Sequence, residues 1–245
     1  MEPARVVEVG ALRGETTSKL LQSLGADAEL HVIDPAPQFD PNEHERRWRG
    51  RYVFHRDVSL NVLPELDPVD LALIDGDHNW YTVLNELRML RDRAHVAGSA
   101  APVLVLHDVC WPYGRRDGYY APERIPPAFR HPSARLGLGR GCRGLLEQGG
   151  VNRNIWNAEV EGGPRNGVRT ALEDFLADPA SRYRHVVVEA YAGIAVAVDA
   201  ERLQRQPRLA EFLDRLTDDA EQARVTAAAD EAVRDAVASG CLTLG

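Results

Sequence analysis

Side chains able to bind a metal or move a proton gather after two apolar runs of the chain. Two acids and an imidazole follow the run 69–74 within four positions, and an imidazole–acid pair follows the run 103–106. Helix capping explains one or two acids in such a turn but not the imidazole, and grouped carboxylates repel one another unless they share a partner. The set consists of Asp75, Asp77, His78, His107 and Asp108.

Three of these side chains form a candidate metal site. If the two runs are neighbouring parallel strands, their carboxyl ends converge, and Asp75, His107 and Asp108 meet there. Carboxylate and imidazole ligands suit Mg²⁺, Mn²⁺ or Ca²⁺ better than a thiolate-loving metal, although the imidazole weakens the case for Ca²⁺. The alternative is a hydrogen-bonded acid cluster that holds no metal.

His78 is the candidate catalytic base. An unperturbed imidazole titrates near neutrality, at a pKa of about 6.5. His78 follows Asp75 by three residues, which places it beside the candidate metal but on a separate backbone position. A capping or supporting role for His78 is the alternative, and His107 is the rival base if it binds no metal.

A second candidate site lies at the start of the chain. The β-branched run 6–9 predicts a buried strand, Gly10 ends it, and Gly14 opens a helix. Such a turn presents backbone N–H groups and a positive helix end to a ligand. The spacing from Glu8 is E-x-G-x-x-x-G, which differs from the G-x-G-x-x-G of dinucleotide binding. A plain tight turn between strand and helix is the alternative.

Two further acids end predicted strands at the same edge. Asp34 ends the run 28–34, and a carboxylate about 20 residues past a glycine turn can accept hydrogen bonds from both ribose hydroxyls. The alternative is a turn or capping aspartate before Pro35. Asp57 and Ser59 follow the predicted strand 52–55, where a plain turn accounts for residues of these types.

Strands and helices alternate along the chain and would position these residues. The predicted strands lie at 6–9, 28–34, 52–55, 69–75 and 103–106, and apolar residues at helical spacing follow the fourth. This alternation predicts an α/β fold with a doubly wound, mostly parallel sheet. The runs 183–190 and 193–199 are joined so tightly that they can form only a hairpin, which makes the last strand antiparallel. The tail 209–238 is predicted to be helical.

The motifs resemble a known family. The stretch E-V-G-x-x-x-G-x-T-T at Glu8–Thr17 resembles the first motif of class I S-adenosylmethionine-dependent methyltransferases. The run I-D-G-D-H-x-x-Y at Ile74–Tyr81 resembles the fourth-strand motif of small-molecule O-methyltransferases. The resemblance implies a seven-stranded Rossmann-like sheet with an antiparallel last strand. It raises the metal interpretation, because catechol-type and macrolide-sugar O-methyltransferases place metal-binding acids at these strand ends, although His107 stands where the catechol type has an acid.

The resemblance also implies a set of residues that bind the methyl donor, S-adenosylmethionine. Asp34 would take its ribose, and Asp57 or Ser59 would face its adenine. The predicted cofactor-binding residues are Glu8, Gly10, Gly14, Thr16, Thr17, Asp34, Asp57 and Asp75.

About seventy residues separate the fifth strand from the next, far more than an ordinary crossover needs. This insertion, residues 109–182, is rich in aromatic side chains, arginine and asparagine, with a glycine-rich stretch at 137–150 and a crossover helix at 168–176. It predicts a lid or acceptor pocket, with an irregular surface insertion or oligomer contact as the alternative. The candidate acceptor-binding residues are Trp111, Tyr113, Arg115, Arg116, Tyr119, Tyr120 and Asn152.

Composition narrows the functional classes. The 245 residues carry a net charge of −8, which argues against a duplex nucleic-acid partner, since phosphate binding needs a basic face. Cys110, Cys142 and Cys241 have no metal or disulfide spacing. Apolar runs are only of strand length, and no signal peptide is evident, so we expect a cytoplasmic protein without a membrane partner.

The sequence predicts an S-adenosylmethionine-dependent O-methyltransferase that is assisted by a divalent metal. We expect a single domain over 1–245, with 109–182 as lid and 201–245 as a helical tail, and possible homo-oligomers. Its acceptor would be a hydroxyl of a sugar, a nucleotide-linked sugar or another small natural product. A non-methylating enzyme of the same fold and a nicotinamide-dependent oxidoreductase are the alternatives.

Overall fold

The computed structural model describes residues 2–238, with side chains described for 2–231. Residues 239–245, including Cys241 and the end of the predicted tail, lie outside the described residues. The strands are β1 (Arg5–Val9), β2 (Glu29–Ile33), β3 (Tyr52–His55), β4 (Leu71–Ile74), β5 (Val103–His107), β6 (Gly118–Tyr119), β7 (Ser133–Ala134), β8 (Trp156–Ala158), β9 (Tyr183–Val188) and β10 (Ile194–Asp199).

Seven of these strands form one sheet in the order β3-β2-β1-β4-β5-β10-β9. The first five run parallel, and β10 runs antiparallel to both β5 and β9. The predicted doubly wound, mostly parallel seven-stranded sheet with an antiparallel last strand is therefore confirmed. The central strands are buried on both faces, which explains their continuous apolar sequence.

The helices are α1 (Glu15–Ser23), α2 (Pro41–Arg47), α3 (Ser59–Val62), α4 (Trp80–Val96), α5 (Val168–Ala177), α6 (Ala200–Arg205), α7 (Pro207–Leu216) and α8 (Asp219–Ala238), with short 3-10 turns at Leu63–Glu65, Pro122–Arg124 and Pro127–Phe129. The side chain of Asn79 caps α4 by accepting from the Thr82 N–H. Val83, Leu84 and Leu87 on α4 are almost fully buried against the sheet. Among the described helices, none combines the length and apolar character that a membrane span requires.

The insertion after β5 is folded on its own small sheet, in the order β6-β8-β7. Asp117, which is fully buried, ties this sheet to the main one. Its carboxylate accepts from the Trp80 N–H at 2.8 Å, the Gly167 N–H at 2.7 Å and the Tyr119 hydroxyl at 2.8 Å. Asp117 thus fixes the starts of α4 and α5 relative to the insertion.

The C-terminal segment packs on the edge of the sheet formed by β9 and β10. Leu213 and Leu216 of α7 are buried against Val186, Val188 and Val198. The predicted tail helix 209–238 is interrupted, since α7 ends at Leu216 and α8 begins at Asp219. Asp218 accepts from the backbone N–H groups of Ala220 and Glu221, which is the capping interaction that begins a new helix.

Candidate active site

The glycine turn after β1 is shaped by its neighbour β4. Gly10 has φ +84°, and a Cβ there would lie 2.3 Å from the carbonyl oxygen of Asp75. Gly14 caps α1 with φ +73°. The sequence predicts that Gly10 leaves space for a cofactor. The structure gives a further reason for a glycine here, because a Cβ would collide with the backbone at the end of β4.

Asp34 braces the same turn. Its Oδ2 accepts from the N–H groups of Ala11 at 3.0 Å and Leu12 at 2.9 Å, and its Oδ1 accepts from Ala36 at 2.8 Å. Leu12 adopts φ +46°, a conformation that these hydrogen bonds support. The role of Asp34 as ribose acceptor stays a prediction, while its role as a turn aspartate is visible in these contacts.

Glu8 lies beneath the turn with 2% of its surface exposed. Thr17 donates to its Oε2 at 2.6 Å, and its Oε1 has no partner among the described residues. Burial raises the pKa of Glu8 to about 7, against the opposing effect of the Thr17 hydrogen bond. Thr16 is exposed in the first turn of α1. An unpartnered buried carboxylate oxygen favours a ligand group that can donate a hydrogen bond to it.

The turn after β3 contacts a buried acid of α4. Asp57 is exposed and accepts from the N–H of Val58 and the amide of Asn61. Ser59 is buried, and its hydroxyl donates to Glu86 of α4. Glu86 is fully buried, and burial raises its pKa to about 8. Its partner Ser59 has little surface left for an adenine, so Asp57 stays the better candidate of the two.

Asp75, His107 and Asp108 converge where β4 and β5 end. One ligand atom from each lies within 4.8 Å of the others. The His107 Nδ1 is 3.2 Å from Asp75 Oδ1 and 3.2 Å from Asp108 Oδ2. Asp108 adopts φ +57°, which turns its side chain back towards the strand ends. The predicted convergence of this triad is present in the structure.

The charges in this triad stabilise one another. Burial acts to lower the pKa of His107, but hydrogen bonds to Asp108 and Asp75 raise it to about 10. Burial acts to raise the pKa of Asp108, and the neighbouring His78 and His107 outweigh it and hold that pKa below its ordinary value. The two carboxylates therefore favour a positive charge between them. A proton on His107 or a metal ion bound by all three side chains would supply that charge.

His78 lies beside the triad and is 9% exposed. Its Nδ1 is 3.4 Å from Asp108 Oδ2, and its Nε2 is 3.1 Å from the Tyr120 hydroxyl. The ring stacks on Tyr113 with centroids 4.8 Å apart. Asp77, in contrast, turns inwards, accepts from Thr82 Oγ1 at 3.0 Å, and has its pKa raised by burial. The turn therefore sends His78 to the triad and Asp77 to the interior.

Residues 7–109 match the sequence model of a known family, described as a methyltransferase domain. The match covers β1 to β5 and includes the glycine turn and the triad. This part of the chain is similar to methyltransferase domains. The resemblance to class I S-adenosylmethionine-dependent methyltransferases is thereby confirmed. A comparison with curated protein sequences gives no match.

Several solved structures are similar to the chain. They include a methyltransferase of Podospora anserina, PaMTH1, bound to S-adenosylhomocysteine, with 15% identity over 80% of this chain and 71% of that one and a TM-score of 0.47. A putative O-methyltransferase from Klebsiella pneumoniae has 19% identity over 81% and 74%, with a TM-score of 0.45. The O-methyltransferase TomG of Streptomyces achromogenes, in complex with S-adenosylmethionine, has 14% identity over 81% and 74%, with a TM-score of 0.43.

Several predicted acceptor residues lie in the interior of the protein. Arg116 is 2% exposed and donates to the carbonyls of Ala158 and Arg143. Tyr119 is 1% exposed and bonded to Asp117. Tyr113 is 3% exposed and supports the His78 ring. An acceptor cannot reach Arg116 or Tyr119 in this arrangement, and the acceptor role predicted for them is not supported by their positions.

The other predicted acceptor residues are accessible. Tyr120 is 57% exposed beside His78, Trp111 is partly buried, and Asn152 is exposed. Arg115 makes two hydrogen bonds of 2.6 Å to Glu173, so its guanidinium is already engaged. Of these four, Tyr120 is in direct contact with His78.

The structure contains a cleft beside the triad that the sequence does not predict. This cleft, of about 290 Å³, begins at Val109 and Cys110, directly after Asp108, and is closed by the exposed Tyr191 of the β9–β10 turn. The Tyr191 ring lies 6.4 Å from the His107 ring. The predicted hairpin could have indicated Tyr191, since its turn lies at the same edge as the ends of the parallel strands.

Proposed function

We propose that the protein is an S-adenosylmethionine-dependent O-methyltransferase, assisted by a divalent metal, that methylates a hydroxyl of a sugar or another small natural product. The observation that carries the proposal is the triad of Asp75, His107 and Asp108 within 4.8 Å, at the end of the strand that adjoins the glycine turn. A methyl donor in the turn and an acceptor at the triad would lie next to each other.

The donor site of the proposal uses the turn after β1. The orphan Oε1 of Glu8 is a buried acceptor suited to the amino group of the donor, and Asp34 holds the turn in place for the rest of it. S-adenosylmethionine, when bound, supplies an electrophilic methyl on a sulfonium. The residues of this chain then have only to align donor and acceptor and to remove a proton.

The donor set at the triad fits a hard divalent metal. Two carboxylates and one imidazole are ligands that Mg²⁺ and Mn²⁺ accept, and a thiol is absent from this set. Asp75, with a side chain 52% exposed, leaves one side of the triad open to an acceptor. A metal held here would lower the pKa of an acceptor hydroxyl and fix its position.

His78 is the proposed base. Its Nδ1 faces Asp108, which would orient the ring, as an acid does for a catalytic histidine elsewhere. Its Nε2 faces the hydroxyl of Tyr120, an exposed side chain. We infer that the acceptor hydroxyl takes the place of the Tyr120 hydroxyl when it binds, so that Nε2 receives its proton.

Binding of the cofactor product tests the assignment. Calorimetry should show that the full chain binds S-adenosylhomocysteine and does not bind NAD. Methyl transfer from labelled S-adenosylmethionine should then be measured across a panel of sugars, nucleotide-linked sugars and phenols. NAD binding without S-adenosylhomocysteine binding would instead support the oxidoreductase.

Two histidine variants distinguish the proposed metal ligand from the proposed base. His107→Ala should weaken Mn²⁺ binding measured by calorimetry, because it removes a ligand, and His95→Ala, an exposed histidine at the end of α4, should leave it unchanged. His78→Ala should bind S-adenosylhomocysteine like the wild type but lose about 10²–10⁴ in turnover, together with the low-pH limb of the rate profile. Turnover of His78→Ala within a few-fold of wild type would transfer the base role to His107 or to solvent.

A further inference from the structure

The cleft beside the triad has more basic than acidic side chains. Its lining includes three arginines and two glutamates. Two of the arginines are engaged by acids: Arg115 by Glu173, and Arg169 by Glu189 at 3.2 Å. The second lining glutamate, Glu161, lies 3.7 Å from the buried Arg116. Both acids of the cleft therefore already have a cationic partner.

Arg140 is the third arginine, and its surroundings differ. Its guanidinium lies over the Trp111 ring at 4.7 Å from the centroid. Within the residues whose side chains are described, no carboxylate forms an ion pair with it. Stacking on an indole holds a guanidinium by its face and leaves its N–H edges available. Those edges can make paired hydrogen bonds to a planar or tetrahedral oxyanion.

The backbone that carries Arg140 is fixed, which is what a binding residue requires. Gly137 exchanges hydrogen bonds with Leu146, at 3.0 and 2.8 Å, and Leu138 exchanges two of 3.0 Å with Val151. Leu138 is 2% exposed and belongs to the main core. Arg140 lies in the turn that a 3.0 Å hydrogen bond from the Cys142 N–H to the Gly139 carbonyl closes. The glycine-rich stretch 137–150 thus builds a short, anchored arm.

We infer that the face formed by Arg140 and Trp111 binds an oxyanion of the acceptor, a carboxylate or a phosphate, and so selects anionic acceptors for methylation. The inference rests on the proposed function for the place of the reacting hydroxyl, which would stand at the triad end of the same cleft. Trp111 would contact the body of the acceptor, and Tyr191 would close the cleft between the two ends.

Three small aromatic probes test the anion site. Phenyl phosphate, benzoate and the neutral benzamide are titrated by calorimetry into the full chain saturated with S-adenosylhomocysteine, at low ionic strength because salt screens exposed charges. The variant is Arg140→Gln. The matched control is Arg130→Gln, an exposed arginine on the same insertion that does not line the cleft.

We expect the wild type and Arg130→Gln to bind one of the two anions and to bind benzamide more weakly. Arg140→Gln should lose at least about tenfold in affinity for that anion, since hydrogen bonds to a charged group are the strong ones. Arg140→Lys should fall between the two, because lysine keeps the charge and loses the fork. Tighter binding of phenyl phosphate identifies a phosphorylated acceptor, and tighter binding of benzoate identifies a carboxylated one.

Two results would overturn the inference: benzamide bound as tightly as both anions, or equal anion affinity in Arg140→Gln and Arg130→Gln. Either can occur while S-adenosylhomocysteine binds and methyl transfer proceeds, in which case only the anion site is wrong. Failure of the chain to bind S-adenosylhomocysteine would instead reject the proposed function.

Discussion

Replacing Glu86 by glutamine should make the protein more stable in alkaline solution. Glu86 is fully buried on α4, its Oε1 accepts from the Ser59 hydroxyl, and its Oε2 has no partner among the described residues. Burial raises its pKa from the ordinary 4.5 to about 8. The folded protein therefore holds a proton on Glu86 at pH 7 that the unfolded chain has released.

The sign follows from proton linkage. Between pH 4.5 and about 8 the folded state binds more protons than the unfolded state, so the free energy of unfolding falls as the pH rises. The stabilisation is complete below the unfolded pKa and is lost as the pH rises through the folded one. The two pKa values differ by about 3.5 units, and each unit changes the free energy of unfolding by about 1.4 kcal/mol. The total loss of stability across this pH range is therefore about 5 kcal/mol.

Glu86→Gln removes this titration and keeps the shape of the side chain. The glutamine Oε1 can accept from Ser59, and its amide N–H₂ stands where the protonated acid has its O–H. We expect similar unfolding free energies for variant and wild type at pH 5. The variant should then gain about 1.4 kcal/mol on the wild type for each pH unit up to about pH 8.

Urea unfolding followed by tryptophan fluorescence between pH 5 and 9 measures the difference at each pH. Other titrating groups cancel when the two curves are subtracted. Glu65→Gln, an exposed glutamate, is the control and should differ from wild type by a small amount at every pH. A Glu86→Gln difference that stays flat from pH 5 to 9 would refute the assignment of a buried, protonated Glu86.

Two further variants test the turn after β1. Gly10→Val should lower the free energy of unfolding by at least about 2 kcal/mol, because its Cβ would meet the Asp75 carbonyl and φ is left-handed at this position. Gly25→Ala is the control, since the space around a Cβ at that position is open. In the same urea assay its free energy of unfolding should stay within about 0.5 kcal/mol of the wild type. Asp34→Asn should cost at least about 2 kcal/mol, because an amide in place of Oδ2 leaves two N–H groups without their acceptor. An Asp34→Asn protein of unchanged stability that no longer binds S-adenosylhomocysteine would instead give Asp34 the ribose role alone.

The sheet and the triad could be predicted because both depend on strong, local signals. Short, mostly apolar runs predict β1, β4 and β5. Parallel strands bring their carboxyl ends to one edge, so Asp75 and the pair His107–Asp108 had to meet once those strands were identified. The family resemblance added the donor and the chemistry, and the match over residues 7–109 confirms the methyltransferase assignment.

The insertion could not be predicted in the same way. The strands β6 and β7 have two residues each and β8 has three, which is too short for a periodic pattern. The sequence places Arg116 in the acceptor pocket because arginine donors suit a sugar ring. Its burial depends on carbonyl acceptors at Ala158 and Arg143, which become neighbours only after the insertion has folded.

The two turns at the proposed site act as one rigid unit. A Cβ on Gly10 would lie 2.3 Å from the Asp75 carbonyl, and a Cβ on Gly76 would lie 2.9 Å from the Val9 side chain. At Gly10 the backbone after β1 therefore packs directly against the backbone after β4, and the Val9 side chain fills the space beside Gly76. The turn proposed for the donor and the first acid of the triad cannot move apart independently. Methyl transfer needs donor and acceptor held at a fixed separation, and under the proposed function this backbone contact would supply it before either binds.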